Sequence, residues 1–201
     1  MRRGKKTAVI MVLLAVLCGC TAEKETPAET AAPAAAEVHH VEMKVRDYGV
    51  MTIELDSGAA SLTVENFMTL AEEGFYDGLT FHRIMDGFMI QGGDPDGNGT
   101  GGSGKTIPGE FKSNGWDSNT IKHVKGTISM ARAKNPDSAS SQFFIMVADA
   151  SYLDGDYAAF GHVTDGLDVA LQIAADARPV DNNGTIPPEA QPVIEYVKVL
   201  D

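Results

Sequence analysis

The sequence predicts a mainly β domain, a closed antiparallel barrel of about eight short strands with two helices over its open ends. Three observations lead to this prediction. From His39 onward, most apolar residues recur at every second position, which is typical of strands. Only two segments have apolar residues spaced three and four apart, as helices do. The strand-like segments do not alternate with helices, which argues against a parallel βαβ sheet.

Residues 1–19 are predicted to be a lipoprotein signal peptide. Four basic residues lie within residues 1–6, ahead of an apolar run from Ala8 to Gly19. This run has 12 residues, whereas a bilayer-spanning helix needs roughly 20. Leu17-Cys18-Gly19-Cys20 resembles a bacterial lipobox, which implies that Cys20 is acylated and becomes the mature N-terminus. An ordinary secretory signal or an uncleaved anchor is the alternative.

Residues 20–38 are predicted to be the lipidated cysteine followed by a disordered linker. Thr21–Val38 is mostly Ala, Thr, Glu and Pro and contains no aromatic residue, so it cannot bury enough apolar surface to fold. An Ala-rich helix is the alternative, and Pro27 and Pro33 disfavour it. We therefore expect an extracytoplasmic protein whose membrane partner is reached through Cys20.

The chain carries a net negative charge, which argues against nucleic acid as a partner. Removing residues 1–19 removes four of the 16 basic residues and none of the 28 acidic ones, which takes the formal charge from −12 to −16. Such a protein does not bind anionic lipid by charge, and nucleic acid is not an expected partner. Both cysteines, Cys18 and Cys20, lie at the signal peptide, so no disulfide is expected in the mature chain.

Residues 39–201 are predicted to form the folded domain. A hairpin is expected from residues 41–45 and 50–55 around Asp47-Tyr48-Gly49. Helices are expected over Ser61–Gly74 and Asp165–Ala175. Further strands are expected at Leu79–Met85, Phe88–Gln91, Gly126–Ala131, Gln142–Val147, Ala159–Thr164 and Pro192–Leu200.

The glycine-rich segment Gly97–Thr106 matches two nucleotide-binding patterns. Gly99–Thr106 has the spacing of a phosphate-binding loop, and Gly97–Gly102 has that of a dinucleotide fingerprint. Both patterns require a helix directly after the glycines, so that its amides face the phosphate. Ile107-Pro108-Gly109 follows instead, which disfavours a helix. No nucleotide or other cofactor is therefore expected.

The histidines give no metal-binding pattern. His123 and His162 lack metal-ligand spacing, and His39-His40 lies at the edge of the linker. His82 alternates with Arg83 along a strand and is expected on the opposite face. Neither H-E-x-x-H nor G-x-S-x-G occurs, so neither a metal site nor a nucleophile elbow is predicted.

Arg83 is the most informative basic residue, because it lies in a strand that is otherwise largely apolar. Burying a guanidinium is costly unless the group is paired or used. Strand alternation places Met89 and Gln91 on one face, and it places Gln142 and Phe144 on one face of another strand. An arginine, two glutamines and several apolar groups are thus expected along one wall, with no nucleophile or general base among them.

Six segments form a recognisable set of motifs. They are FHRIMDGFMIQGGD (81–94), GTGG (99–102), SMA (129–131), SQFF (141–144), YLDG (152–155) and FG (160–161). These segments resemble a cyclophilin, most closely the bacterial extracytoplasmic members, over about His39 to Asp201. The resemblance implies a peptidyl-prolyl cis-trans isomerase with an eight-stranded barrel and two helices.

The resemblance implies catalytic roles for Arg83 and Gln91, with Gln91 positioning the arginine and contacting the substrate carbonyl. A pocket for the proline ring is implied for Phe88, Met89, Phe144 and Leu153, for which plain barrel core is the alternative. An adjoining groove for substrate backbone is implied for Gly99, Thr100, Ala131, Arg132 and Gln142, with Arg132 contacting through its main chain. Tyr152 and Tyr157 are also implied to contact substrate, and they stand where eukaryotic members carry tryptophan and histidine.

This activity agrees with the residue types present. Rotation about an X–Pro bond breaks no covalent bond, so catalysis needs only tighter binding of the twisted amide. A charged arginine that donates to the prolyl nitrogen would supply it, and Arg83 is assigned this role. Proline-containing polypeptides are the expected partners of a monomeric enzyme. The alternative is a module that binds Pro-containing segments without a catalytic role.

Overall fold

The computed structural model describes Met1 and residues 37–201. The predicted signal peptide, Cys20 and nearly all of the predicted linker lie outside the described residues. The first strand begins at Val38, within the stretch that the sequence assigns to the linker. In the described part of the chain, no helix has both the length and the apolar character needed to cross a membrane.

All the predicted strands and both predicted helices are present. The helices are α1 (Ser57–Glu72) and α2 (Leu167–Asp176). The strands are β1 (Val38–Val45), β2 (Gly49–Asp56), β3 (Thr80–Met85), β4 (Met89–Asp94), β5 (Thr127–Met130), β6 (Phe143–Met146), β7 (Ala159–Asp165) and β8 (Ile194–Val199).

Helix α1 begins four residues before its predicted start at Ser61, because an additional first turn has its own cap. The Asp56 carboxylate accepts from Ala59 N at 3.1 Å and caps a first turn, after which Ala60 leaves helical geometry (φ −150°, ψ 71°). The buried Glu110 carboxylate then caps the chain a second time, accepting from the backbone N–H groups of Leu62 and Thr63. The predicted start therefore corresponds to the second of two caps.

The eight strands form one antiparallel sheet in the order β3-β4-β6-β5-β7-β2-β1-β8. The sheet curls until its two edge strands approach each other, but β3 and β8 meet only near their first residues. The contact there is an isolated bridge between Thr80 and Val193, with backbone hydrogen bonds from Phe81 N to the Pro192 carbonyl and from Ile194 N to the Leu79 carbonyl. The mainly β fold is confirmed, whereas the prediction of a closed barrel is overstated. The reason is that Gly184 and Ile186 hydrogen-bond to the remaining outer edge of β3, so β8 cannot pair there.

The alternation of side chains along each strand divides the apolar residues between two clusters. The main core lies inside the curled sheet and contains Phe67 of α1 among edge-on and tilted aromatic neighbours such as Phe143 and Phe160. A smaller group, the outer cluster, lies on the other face and consists of Met89, Phe144, Met146, Ala150 and Leu153. Along β6, Phe143 and Ile145 point into the main core while Phe144 and Met146 join the outer cluster.

Candidate active site

A cavity of about 120 Å³, here called the central cavity, opens above the outer cluster. Its base is apolar, because Met89 and Phe144 are almost wholly buried beneath it. One wall carries the guanidinium group of Arg83. The lining residues are Arg83, Phe88, Met89, Gln91, Ala131, Arg132, Phe144, Leu153 and Tyr157, and the sequence predicts every one of them as a site residue.

Strand pairing brings these side chains together. Arg83 on β3 pairs with Gln91 on β4, and Gln91 pairs in turn with Phe144 on β6. Residues that are directly opposite on neighbouring strands point to the same face of the sheet. Phe88 lies in the turn before β4, where its carbonyl accepts from Val147 N at 3.0 Å. Four of the nine lining residues, Arg83, Met89, Gln91 and Phe144, are therefore held by paired strands, which hold side chains more firmly than loops do. The other five lie outside the strands.

The guanidinium of Arg83 is held from three directions. Its Nε donates to the carbonyl oxygen of Asn183 at 2.8 Å, its Nη1 donates to Gln91 Oε1 at 3.1 Å, and its Nη2 lies 3.3 Å from the sulfur of Met85. No ion pair among the described residues includes Arg83. The charge is thus oriented by neutral acceptors, and guanidinium N–H groups remain for a further ligand.

A chain of hydrogen bonds extends from Arg83 across the sheet. Gln91 Nε2 donates to Gln142 Oε1 at 3.0 Å, and Gln142 Nε2 donates to the carbonyl oxygen of Gly101 at 2.9 Å. Partial burial lowers the pKa of Arg83, an effect that nearby Tyr157 and Asp181 oppose. Because an arginine pKa is ordinarily above 12, the group remains charged at neutral pH.

A second cavity of about 200 Å³, here called the side groove, adjoins the central cavity. The two share Gln91, Ala131 and Arg132 as lining residues. The predicted groove residues Gly99, Thr100 and Gln142 line the side groove, together with Gly101, Ala133, Ser138 and Ser140, which the sequence reasoning missed. Gly101 lies within the GTGG segment (99–102) that carries the resemblance, whereas no local pattern marks Ala133, Ser138 and Ser140, which lie in loops that only the folded chain brings to the sheet.

The conformation of the glycine-rich segment follows from the buried carboxylate of Asp94. It accepts from the backbone N–H groups of Asp96, Asn98 and Gly99, which folds the chain tightly, with Gly99 at φ +92°. After these glycines the chain continues as an extended bridge from Ile107 to Ala139 rather than as a helix. The helix that a phosphate-binding loop requires is therefore not present after these glycines.

Arg132 forms the wall between the two cavities, and its side chain is more involved than the sequence predicts. Its guanidinium carbon lies 4.6 Å from the ring centre of Tyr157 and 5.0 Å from that of Phe111. Its Nη2 and Nε donate to the carbonyl oxygen of Asp156 at 2.7 and 3.0 Å. Cation–π contact and hydrogen bonds together fix this side chain beside Tyr157 and Phe111.

The two tyrosines that depart from the eukaryotic pattern have different environments. Tyr157 lines the central cavity, and its ring meets that of Phe144 edge-on at 5.9 Å. Tyr152 is 70% exposed and does not line the central cavity. It stacks on the outer side of Phe88, with ring centres 6.0 Å apart. Tyr152 thus borders the site from outside, next to the opening.

His123 lies directly beneath the central cavity. Its ring stacks on Phe144 at 6.0 Å, while its two nitrogens contact Asp154 Oδ1 at 3.2 Å and Ser129 Oγ at 3.0 Å. The set resembles a serine–histidine–aspartate triad, but Ser129 is completely buried and cannot reach a substrate. Burial lowers the pKa of His123 despite its contact with Asp154. The three residues therefore support Phe144 from below.

The remaining described histidines and acidic residues show no cluster suited to a metal ion. Across the described residues, no group of three or more His, Cys, Asp or Glu side chains is arranged to hold a metal ion. His82 does not line either cavity, as its alternation with Arg83 predicts. It is buried, with no hydrogen-bond partner for either ring nitrogen among the described residues, and burial lowers its pKa.

Fold and site together define a curled antiparallel β protein with a small apolar cavity beside an oriented guanidinium. The chain belongs to the cyclophilin-type peptidyl-prolyl cis-trans isomerase family, whose profile, described as "Cyclophilin type peptidyl-prolyl cis-trans isomerase/CLD", matches residues 40–199. It is accordingly a peptidyl-prolyl cis-trans isomerase, as the sequence motifs predict.

Relatives from several organisms agree with this assignment. The chain is 47% identical to peptidyl-prolyl cis-trans isomerase B of Bacillus subtilis (strain 168), over 65% of this chain and 87% of the relative. It is 46% identical to a peptidyl-prolyl cis-trans isomerase of Helicobacter pylori (strain ATCC 700392 / 26695), over 62% of this chain and 74% of the relative. The structure is also similar to that of a Cryptosporidium parvum cyclophilin, which was solved in the presence of the dipeptide Ala-Pro. The TM-score is 0.69 and the sequence identity 29%, and the match covers 81% of this chain and 99% of that chain.

Proposed function

We propose that this isomerase acts on X–Pro bonds of exported or surface proteins, and that Arg83 stabilises the twisted amide while the proline ring occupies the central cavity. The observation that carries the proposal is the orientation of the Arg83 guanidinium by Asn183 and Gln91 at the edge of an apolar cavity. The cavity is small and has Met89 and Phe144 beneath it, which suits one apolar ring.

The reaction requires only differential binding. The barrier to rotation, roughly 18–20 kcal/mol, arises because the amide nitrogen lone pair is conjugated with the carbonyl. In the twisted state that lone pair is free to accept a hydrogen bond. A guanidinium N–H that reaches it stabilises the twisted state over both planar isomers, and about 1.4 kcal/mol of such stabilisation gives a tenfold rate increase. Arg83 keeps its proton throughout, since its role is donation without transfer.

The side groove would hold the polypeptide on the amino-terminal side of the proline. Glycines, alanines and polar side chains line this groove. Gln91, Ala131 and Arg132 line both the groove and the central cavity and so connect the two. An extended chain could therefore place its proline in one cavity and its preceding residues in the other. The Ala-Pro dipeptide used with the Cryptosporidium parvum relative has the chemistry that this arrangement requires.

The experiment that tests the role of Arg83 is a proline-limited peptide assay on the full chain. Arg83→Ala is expected to reduce kcat/KM by about 100-fold, which corresponds to roughly 2.7 kcal/mol of lost transition-state stabilisation. Arg83→Lys keeps the charge but not the planar geometry, and thermal unfolding of both variants controls for folding. Full activity of Arg83→Ala would refute the mechanism. If Arg83→Ala lost catalysis but kept the cellular phenotype, the non-catalytic binding module would be the better explanation.

The extracytoplasmic location rests on the sequence of residues 1–20, outside the described residues. A lipid on Cys20 would hold the acidic protein at a membrane that its own charge does not attract. Mass spectrometry of the native N-terminus is expected to show the loss of residues 1–19 and an acyl mass on Cys20, and Cys20→Ser is expected to release the protein from the membrane fraction. A native chain beginning at Met1 and lacking an acyl group would contradict the proposal.

A further inference from the structure

A short segment after α2 packs along the outer edge of β3, next to Arg83. The backbone N–H of Ile84 donates to the carbonyl of Gly184 at 2.8 Å, and that of Ile186 donates to the carbonyl of His82 at 3.0 Å. Thr185 forms an isolated bridge with Arg83 itself. Residues 181–185, here called the 181–185 turn, therefore lie beside the strand that carries the arginine.

A single carboxylate organises the 181–185 turn. Asp181 Oδ1 accepts from the backbone N–H groups of Asn183 at 2.9 Å and Thr185 at 3.0 Å, while Oδ2 accepts from Thr185 Oγ1 at 2.8 Å. These bonds hold the pKa of Asp181 below its usual range. Because one side chain collects three donors, its removal frees the turn to adopt other conformations.

The shape of the turn decides where the Asn183 carbonyl points. Gly184 has φ +88°, and a Cβ there would lie 2.6 Å from Met85 Cγ and 2.7 Å from the Ile84 carbonyl oxygen. The turn is thus pressed against β3 with the Asn183 carbonyl 2.8 Å from Arg83 Nε. Gln91 accepts from Nη1 of the same guanidinium. Two acceptors at different nitrogens fix the plane of the group.

We propose that Asp181 is a positioning residue for catalysis, which acts through the Asn183 carbonyl to hold the Arg83 guanidinium in its productive orientation. The inference rests on the proposed role of Arg83 and extends it to a residue that does not line either cavity. Asp181 is exposed, whereas the neighbouring Ile186 is buried and anchors the segment in the core. Loss of the Asp181 carboxylate should therefore affect the orientation of Arg83 more than the fold.

The first test compares Asp181→Ala and Asp181→Asn in the full chain with the proline-limited peptide assay. Asp181→Ala is expected to lower kcat/KM about tenfold, with the change in kcat rather than KM. A misplacement of about 1 Å can cost about 100-fold, and the loss is smaller here because Gln91 still accepts from Arg83 Nη1. Asp181→Asn keeps an oxygen for both backbone N–H groups and is expected to stay within about twofold of wild type. Asp56→Ala removes a comparable carboxylate cap at α1, away from the site, and is the matched control for stability.

The second test asks whether the effect passes through Arg83. In an Arg83→Lys background, which has no Nε–H for the Asn183 carbonyl, Asp181→Ala is expected to cause no further loss in kcat/KM. An unchanged kcat in Asp181→Ala, or the same tenfold loss in the lysine background, would overturn the inference. Full activity of Arg83→Ala would instead overturn the proposed mechanism, so the two failures are distinguishable.

Discussion

Replacing Gln91 with leucine tests how far the activity depends on the hydrogen bonds that orient Arg83. The Gln91 side chain accepts from Arg83 Nη1 at 3.1 Å and donates to Gln142 Oε1 at 3.0 Å. Leucine has a similar size but neither a donor nor an acceptor. In Gln91→Leu the guanidinium would keep its bond to the Asn183 carbonyl and lose its second oxygen acceptor.

The size of the effect follows from the kind of bond that is lost. A hydrogen bond to a charged group contributes roughly 1.5–3 kcal/mol. Gln91 is half-buried, so solvent can partly replace it, and the lower value is appropriate. About 1.5 kcal/mol corresponds to a loss of roughly tenfold in kcat/KM. Because Arg83 is proposed to act in the twisted state, the loss should appear in kcat, with little change in KM.

The assay is a proline-limited peptide conversion followed over a range of substrate concentrations, with urea unfolding as the control for stability. Gln142→Leu is the matched variant, since it breaks the bond between the two glutamines without removing a partner of Arg83. We expect it to lower kcat/KM by only about two- to threefold. Activity of Gln91→Leu within twofold of wild type, or a larger loss in Gln142→Leu, would refute the reasoning.

Two further predictions concern stability. Glu110→Ala removes the buried carboxylate that caps the second turn of α1 at Leu62 and Thr63. It should reduce the free energy of unfolding by about 2–4 kcal/mol, because two backbone donors lose their acceptor. A urea midpoint equal to that of wild type would contradict this prediction. Burial lowers the pKa values of His82 and His123 in the folded protein. Below the ordinary histidine pKa of about 6.5, the unfolded chain therefore binds more protons than the folded protein does. The free energy of unfolding should consequently fall as pH decreases from 7 to 5. The decrease is at most about 1.4 kcal/mol per pH unit for each histidine. Urea unfolding at both pH values should show a smaller decrease in His82→Gln, and an equal decrease would count against the prediction.

Local sequence patterns were sufficient for most of the secondary structure and for the face on which the site lies. Period-two alternation in β6 separates Phe143 from Phe144, and the structure places them in the main core and the outer cluster respectively. Alternation is a property of the extended backbone itself, so it can be read without knowledge of the tertiary fold. The same holds for Met89 and Gln91 on β4, both of which line the central cavity.

Several features that depend on distant residues could not be predicted in this way. The second cap of α1, after the non-helical Ala60, depends on Glu110, which accepts from Leu62 N although it lies 48 residues away. The incomplete closure of the sheet depends on residues 184 and 186 occupying the edge of β3. In both cases the backbone groups of one segment are satisfied by a segment remote in sequence, and no local pattern reports that partner.

The sequence by itself determined the fold class, the family and the set of residues that line the central cavity, because motif and alternation are both local properties of the chain. Only the tertiary structure decided how Arg83 is held. The carbonyl that accepts from its Nε belongs to Asn183, 100 residues further along the chain. A backbone carbonyl has the same chemistry at every residue, so its position in the folded chain, rather than its identity in the sequence, makes it part of the site.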